Sequence, residues 1–391
     1  MADVEYGTAV QFDSYTEVPW VCRLTDTKCV VFGNGSSGMS ATVGTITGTS
    51  LSWGTTLEVH GYNKTQACVD RLDDTHVIIT YKNNSNDGVC VIGTISGTSI
   101  SVGSEYAYDG GTINNVAVSS ISSSTFVVSW GDDTAKDVHS AIGTISGSSI
   151  SYGSTATADS HASGYNVFTT LLDSTHFALV WQDAYGTSTD VGKSIVGVIS
   201  GTNISFGSVV NFDGTYGIPW DIKTIDSTHF IVSYNNTSWS GDGTVKIGTV
   251  ASGDVITYGS AYEFNSAATQ QSTIAMLDST HFVVAYEDDA GSDYGQSKLG
   301  TISNDDEVSF GNEVQWEGAA AVKHPNSCSI DGEYYIIVYQ YSAAAGKGIV
   351  GQYASIVGPV NLKTFNGVAA ASVKTIDGTA IASVKSINTI V

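Results

Sequence analysis

Apolar and polar positions alternate in short runs along the whole chain, each run closed by Gly, Asp, Asn or Ser. That is the period of half-buried strands and not of helices. Phe282-Val283-Val284 and Phe230-Ile231-Val232 each follow an Asp-Ser-Thr-His segment, whose Asp and Ser side chains can bond their own backbone two residues on and so favour a reversal. One stretch of this kind reads as four strands: Gly217 to Ile225, Phe230 to Asn235, Thr244 to Val250 and Val255 to Phe264. The third turn, Ser-Gly-Thr-Ser, carries a glycine that tolerates the positive φ of a hairpin.

The pattern repeats. Asp278-Ser279-Thr280-His281-Phe282 recurs at Asp173 to Phe177 and Asp226 to Phe230, with looser copies after Leu24, Leu72, Ile121 and Ile330, which makes seven. Gly93-Thr94-Ile95-Ser96-Gly97-Thr98-Ser99-Ile100-Ser101 recurs from Gly44, Gly143, Gly197, Gly248 and Gly300 and fades at Gly351, again seven positions. Four antiparallel strands at a period of about 50 residues are the signature of a propeller blade. The expectation is an all-β, seven-bladed β-propeller over residues 1–358. The last unit, 321–355, offers three strands, while Glu5 to Asp13 resembles the fourth strands Thr257 to Asn265 and Ser205 to Asp213. Residues 3–13 are therefore expected to supply the outer strand of the seventh blade, which removes a frayed sheet edge.

After Gly358 the rhythm shortens to 11 residues, with Leu362-Lys363-Thr364-Phe365, Val373-Lys374-Thr375-Ile376 and Val384-Lys385-Ser386-Ile387 in corresponding places. Asn366-Gly367 and Asp377-Gly378 are hairpin signals. Residues 359–391 are expected to form a meander of two or three strands, too small to fold alone and so bound to dock or to oligomerise. Lys363, Phe365, Lys374, Ile376 and Lys385 are its candidate attachment residues, with docking on the parent propeller as an equal reading.

Composition narrows the partners. A net charge of −23 repels phosphate backbones and anionic lipid, which excludes nucleic acid as an expected partner. Nowhere do about 18 apolar residues run together, so no membrane insertion is expected, and the first ten residues have no signal-peptide pattern. Cys22, Cys29, Cys68, Cys90 and Cys328 have no metal-ligand spacing and read as buried free thiols, which suits a reducing cytoplasm.

Together, the Asp-Ser-Thr-His-Phe and Gly-Thr-Ile-Ser-Gly-Thr-Ser-Ile-Ser repeats resemble propeller proteins among the virion structural proteins of tailed bacteriophages. The tail motif Val373-Lys374-Thr375-Ile376-Asp377-Gly378-Thr379-Ala380 is similar to the Lys-Thr-x-Asn-Gly repeats that end many phage tail and fibre proteins. The resemblance implies a non-enzymatic virion component, made in the host cytoplasm, whose partners are other virion proteins and a host surface glycan or protein. A capsid or tail decoration protein without a receptor is the nearest alternative; a glycan-cleaving propeller hydrolase is the alternative from another class.

His76, His176, His229 and His281 share one repeat position; neighbouring copies stand about 10 Å apart or more, too far for one metal with ligands about 2 Å away, so they read as structural. Glu287-Asp288-Asp289 with Asp293, and Asp132-Asp133 with Asp137, are acid-rich loops of the kind that can hold Ca²⁺; without the spaced ladder of an EF-hand they read as solvated turns, and no metal or cofactor is expected. Propellers do host glycosidases, yet no Asp-box, Arg cluster or nucleophile elbow is present, so no catalytic residue is expected. Aromatic residues collect in loops of one face: Tyr62, Tyr165, Tyr185, Trp239 and Tyr294 are the candidate ligand-binding residues. Trp20 and Trp220, each just after a proline, read equally well as plugs of the propeller mouth.

Overall fold

A computed structural model of the chain describes residues 4–35, 38–60, 67–160, 164–184, 191–214, 216–236, 241–289, 293–303, 306–318, 321–342 and 345–353, and four two-residue strands in the tail. There is no helix among the described residues. Two compact units separate, Met1–Tyr353 and Ala354–Val391.

The first unit is built of antiparallel sheets of one recurring plan. In the sheet that follows residue 112, the strands Ile113–Ser122, Thr125–Asp132 and Asp137–Ser146 lie side by side. The fourth position is shared by two short strands, Ser149–Tyr152 and Ala156–Asp159, both paired to Asp137–Ser146. The expected single outer strand is thus broken in two. A close approach explains the break: a Cβ on Gly153 would stand 2.0 Å from the carbonyl oxygen of Thr202, in the outer turn of the next sheet. At Val255–Met276 the outer strand is not broken. It runs 22 residues, ends one sheet and begins the next, and so merges two units into one eight-stranded sheet.

The two repeated sequence segments face each other across strands. Phe126, Phe177, Phe230 and Phe282 lie opposite Gly143, Gly197, Gly248 and Gly300. A Cβ on Gly248 would sit 2.3 Å from the Phe230 ring, so the glycine makes room for a fully buried phenyl. The histidines each begin a second strand, and each ring lies against the Asp three residues before it, at 3.1 Å for His176 and Asp173. The far ring nitrogens of His176 and His229 reach Asp254 and Asp306 of the following unit at 3.5 and 3.6 Å.

Hydrophobic clusters form between neighbouring sheets rather than within one. Phe177, Leu179 and Trp181 pack with Val127, Val138 and Ile142 of the sheet before, and Val21, Val31 and Ile46 pack with Ile336, Val338 and Val350 from the other end of the chain. Each inner strand also packs beside the next, from Thr16–Thr25 onward, and the last, Val322–Ser329, packs beside Thr16–Thr25. The N-terminal strands Val4–Tyr6 and Val10–Asp13 both pair with Ala345–Tyr353, placing Val4 opposite Tyr353 and Val10 opposite Gly348.

In the second unit the described strands make two hairpins, Thr364–Phe365 with Val368–Ala369 and Thr375–Ile376 with Thr379–Ala380. These are two separate two-stranded sheets, where the sequence suggested one meander.

Candidate functional site

The inner strands of the first unit surround a cavity of about 360 Å³. Its wall is made where each inner strand begins, and there the strands are irregular. Pairing with the second strand slips between Glu17 and Trp20, Tyr165 and Phe168, Gln270 and Ser272, and Lys323 and Asn326. Val18, Asn166, Gln271 and His324 sit inside these bulges at φ of 47°, 48°, 45° and 51°. A β-branched Val in that region is strained, and such conformations cost about 1–3 kcal/mol each. A bulge breaks the in-and-out alternation of a strand, so consecutive residues such as Val18, Pro19 and Trp20 all line the cavity.

The lining mixes rings with fixed polar groups. Trp20, Phe168 and Trp220 supply aromatic surface. Trp220 Nε1 donates to Asn235 Oδ1 at 2.7 Å, which fixes that indole. Asn166 donates to Gln182 Oε1 at 2.9 Å, and Gln271 Oε1 accepts from the His324 amide at 2.7 Å. Burial, reinforced by the Lys323 charge and opposed by Glu17, pushes the His324 imidazole down to about 4, so its ring is neutral near pH 7. Glu17 is the one carboxylate among the residues described in the lining.

A second space of about 460 Å³ continues along the same strands and contains Asp70 and Asp221. Both are engaged. Asp221 accepts from the Ile222 and Ile274 amides at 2.8 Å, from Lys223 Nζ at 2.6 Å and from Thr273 Oγ1 at 3.1 Å. Asp70 accepts from the Ser120 and Arg71 amides at 2.7 and 2.8 Å, while burial raises its carboxyl from the ordinary value. Four donors leave Asp221 no lone pair to spare for general-base work. Cys22, Cys68 and Cys328 face the same space as free thiols pushed up by burial, so they are not thiolates at neutral pH.

The aromatic residues singled out from sequence fall differently. Tyr62, Tyr185 and Trp239 lie outside the described residues. Tyr165 and Tyr294 are not in loops: they open the strands Gly164–Leu171 and Tyr294–Ile302, paired with Gln182 and Asp288. Tyr165 is 37% exposed, and neither residue lines the cavity. Trp20 and Trp220, read from sequence equally as loop aromatics or as plugs of the mouth, line the cavity. Of the tail residues, Phe365 and Ile376 lie in the two hairpins, and Lys363, Lys374 and Lys385 lie outside the described residues. At one acidic turn Asp133 pairs with Lys136 and Asp132 accepts from the Thr134 amide, while Asp137 begins the strand Asp137–Ser146. At the other acidic segment Asp288, Asp289 and Asp293 are half-buried, but Glu287 is not solvated: it is 1% exposed, and burial pushes its carboxyl up to about 8 against the pull of Lys323.

Comparison with known proteins places the fold. No protein-family profile and no curated protein sequence matches the chain. Among solved structures, a lectin from Burkholderia pseudomallei superposes with a TM-score of 0.63 at 9% identity, over 86% of this chain and 96% of the lectin. A putative 6-phosphogluconolactonase from Bacteroides fragilis gives 0.58 at 8% identity, over 76% and 84%, and a protein from Lactobacillus plantarum gives 0.57 at 12%, over 80% and 89%. At such identities the likeness is one of fold: an all-β, propeller-like repeat of antiparallel four-strand units.

Proposed function

We propose that the chain is a seven-bladed binding propeller whose axial cavity takes a saccharide-sized ligand, and that it serves without catalysis as an attachment component of a tailed-phage particle. The count of seven is supported by the seven copies of each sequence segment and by reading the eight-stranded sheet as two blades joined through Val255–Met276. The strained bulges at Val18, Asn166, Gln271 and His324 carry the binding role. Backbone strain at equivalent positions around one cavity, with three rings and several held amides turned into it, suits recognition of a ligand with apolar faces and hydroxyl edges. The virion role rests on the sequence resemblance, and the decoration protein remains its variant without a receptor.

The hydrolase reading is weaker on one specific point. Glycoside hydrolysis generally uses two carboxyl groups across the scissile bond, whereas Glu17 stands as the one carboxylate among the described lining residues. Incubating the protein with host surface polysaccharide separates the readings. Retention on intact glycan, weakened about tenfold or more by Trp20→Ala or Trp220→Ala in folded protein, supports binding. Shortened chains would establish the hydrolase, and undiminished retention by both variants would move the site away from the cavity.

A further inference from the structure

Behind the cavity wall, the end of the strand His281–Asp288 and the residues after it bring together three carboxylates, Glu287, Asp289 and Asp293, with one oxygen from each within 4.8 Å of the others. We propose that these three residues form a calcium site.

Ligand type agrees with that ion. Ca²⁺ takes six to eight oxygen ligands, carboxylates among them, at about 2.3–2.6 Å, and three carboxylate oxygens within 4.8 Å of one another fall inside one such coordination sphere. The smaller Mg²⁺ demands a near-ideal octahedron and usually keeps several waters, binding through one or two carboxylates rather than three.

An acidic cluster alone would not carry this. The independent observation is Glu287, 1% exposed, with an Oε1 that is buried and has no hydrogen-bond partner. A carboxylate oxygen in the interior without a donor is a costly arrangement that a bound cation removes. Lys323, the cation whose charge acts on Glu287 and Asp293, is exposed and makes no ion pair with the cluster among the described residues.

The site is also wired to the wall. Gln270 Nε2 donates to Asp289 Oδ2 at 3.0 Å, the Asp289 amide donates to Ala268 O at 2.9 Å, and the Val322 amide donates to Asp293 O at 2.7 Å. Gln270 and Lys323 directly precede the wall residues Gln271 and His324. An ion here fixes the two inner strands that carry half of the strained positions.

The test is calcium titration of the full chain after chelator treatment, by calorimetry and thermal unfolding, with Mg²⁺ as the control and with Glu287→Gln and Asp293→Asn as variants. Glu287→Gln keeps the size and polarity of the buried side chain and is expected to fold; Asp293, in the loop, gives a second variant that does not touch the interior. Saturating Ca²⁺ should raise the parent's melting temperature by about 3 °C or more, with Mg²⁺ much weaker, and both variants should lose that response. A parent that is indifferent to Ca²⁺, an equal response to Mg²⁺, or variants that keep the full calcium response would overturn the assignment.

Discussion

Val21 and Asn326 lie 305 positions apart in the chain, and the Asn326 side-chain carbonyl accepts a 2.9 Å hydrogen bond from the Val21 amide. This bond ties the last inner strand to the first, at a point where Asn326 lines both axial spaces. Behind it, Val21 and Ile336 share one buried cluster. The two ends of the repeat array are therefore held at the axis as well as at the rim.

At the rim the holding group is Tyr6. Tyr335 Oη donates to Tyr6 Oη at 2.7 Å, and Tyr6 Oη donates to Ser297 Oγ at 2.7 Å, joining three separate strands. Tyr6→Phe should cost about 1–2 kcal/mol, because Tyr335 and Ser297 lose their shared partner. Deleting residues 1–13 should cost far more, since Val4 is 2% exposed and packs on Leu299 and Trp316. Thermal unfolding of the two variants checks the ranking; a deletion that melts with the parent would show the N-terminal strands to be dispensable.

Gly248→Ala should destabilise by about 1–3 kcal/mol, because the new Cβ meets the buried Phe230 ring with no space to yield. The double variant with Phe230→Leu should recover part of the loss. Chemical denaturation of the single and double variants gives the coupling directly. Simple additivity would mean that the pair does not pack as described.

His324 gives a pH dependence of known sign. Its folded-state value of about 4 lies below the ordinary value of about 6.5, so the unfolded chain binds the proton first as pH falls. Stability contributed by this group is whole above pH 6.5 and declines between about pH 6.5 and 4, by about 1–3 kcal/mol after allowance for the part of the ring that meets the cavity. His324→Gln should flatten the stability profile across that window. A variant with the parent's slope would assign the loss to other groups.

Removing residues 359–391 should leave a folded first unit, since the strands of that unit are complete by Tyr353. Its melting temperature should move by no more than about 2 °C. Particle incorporation of the truncated chain then tests the attachment role: normal incorporation, or aggregation of the remaining unit, would remove it.

The sequence by itself determined the strand period, the turns and the antiparallel four-strand plan, because these are local. An Asp-Ser-Thr turn closes on its own backbone, as Thr175 N does on Asp173 Oδ1 at 2.6 Å, and alternation is an i, i+2 property that any stretch of chain displays. Tertiary structure alone decided which residues meet at the axis. Trp20, Asn166, Gln271 and His324 lie within inner strands and share no residue type, and they converge because bulges rotate them inward from strands that are neighbours only after the array folds. The same holds for Glu287, which reads as a turn acid and is 1% exposed where its strand pairs with Val255–Met276 and packs near Val322–Ser329, a burial that no pattern along the chain displays.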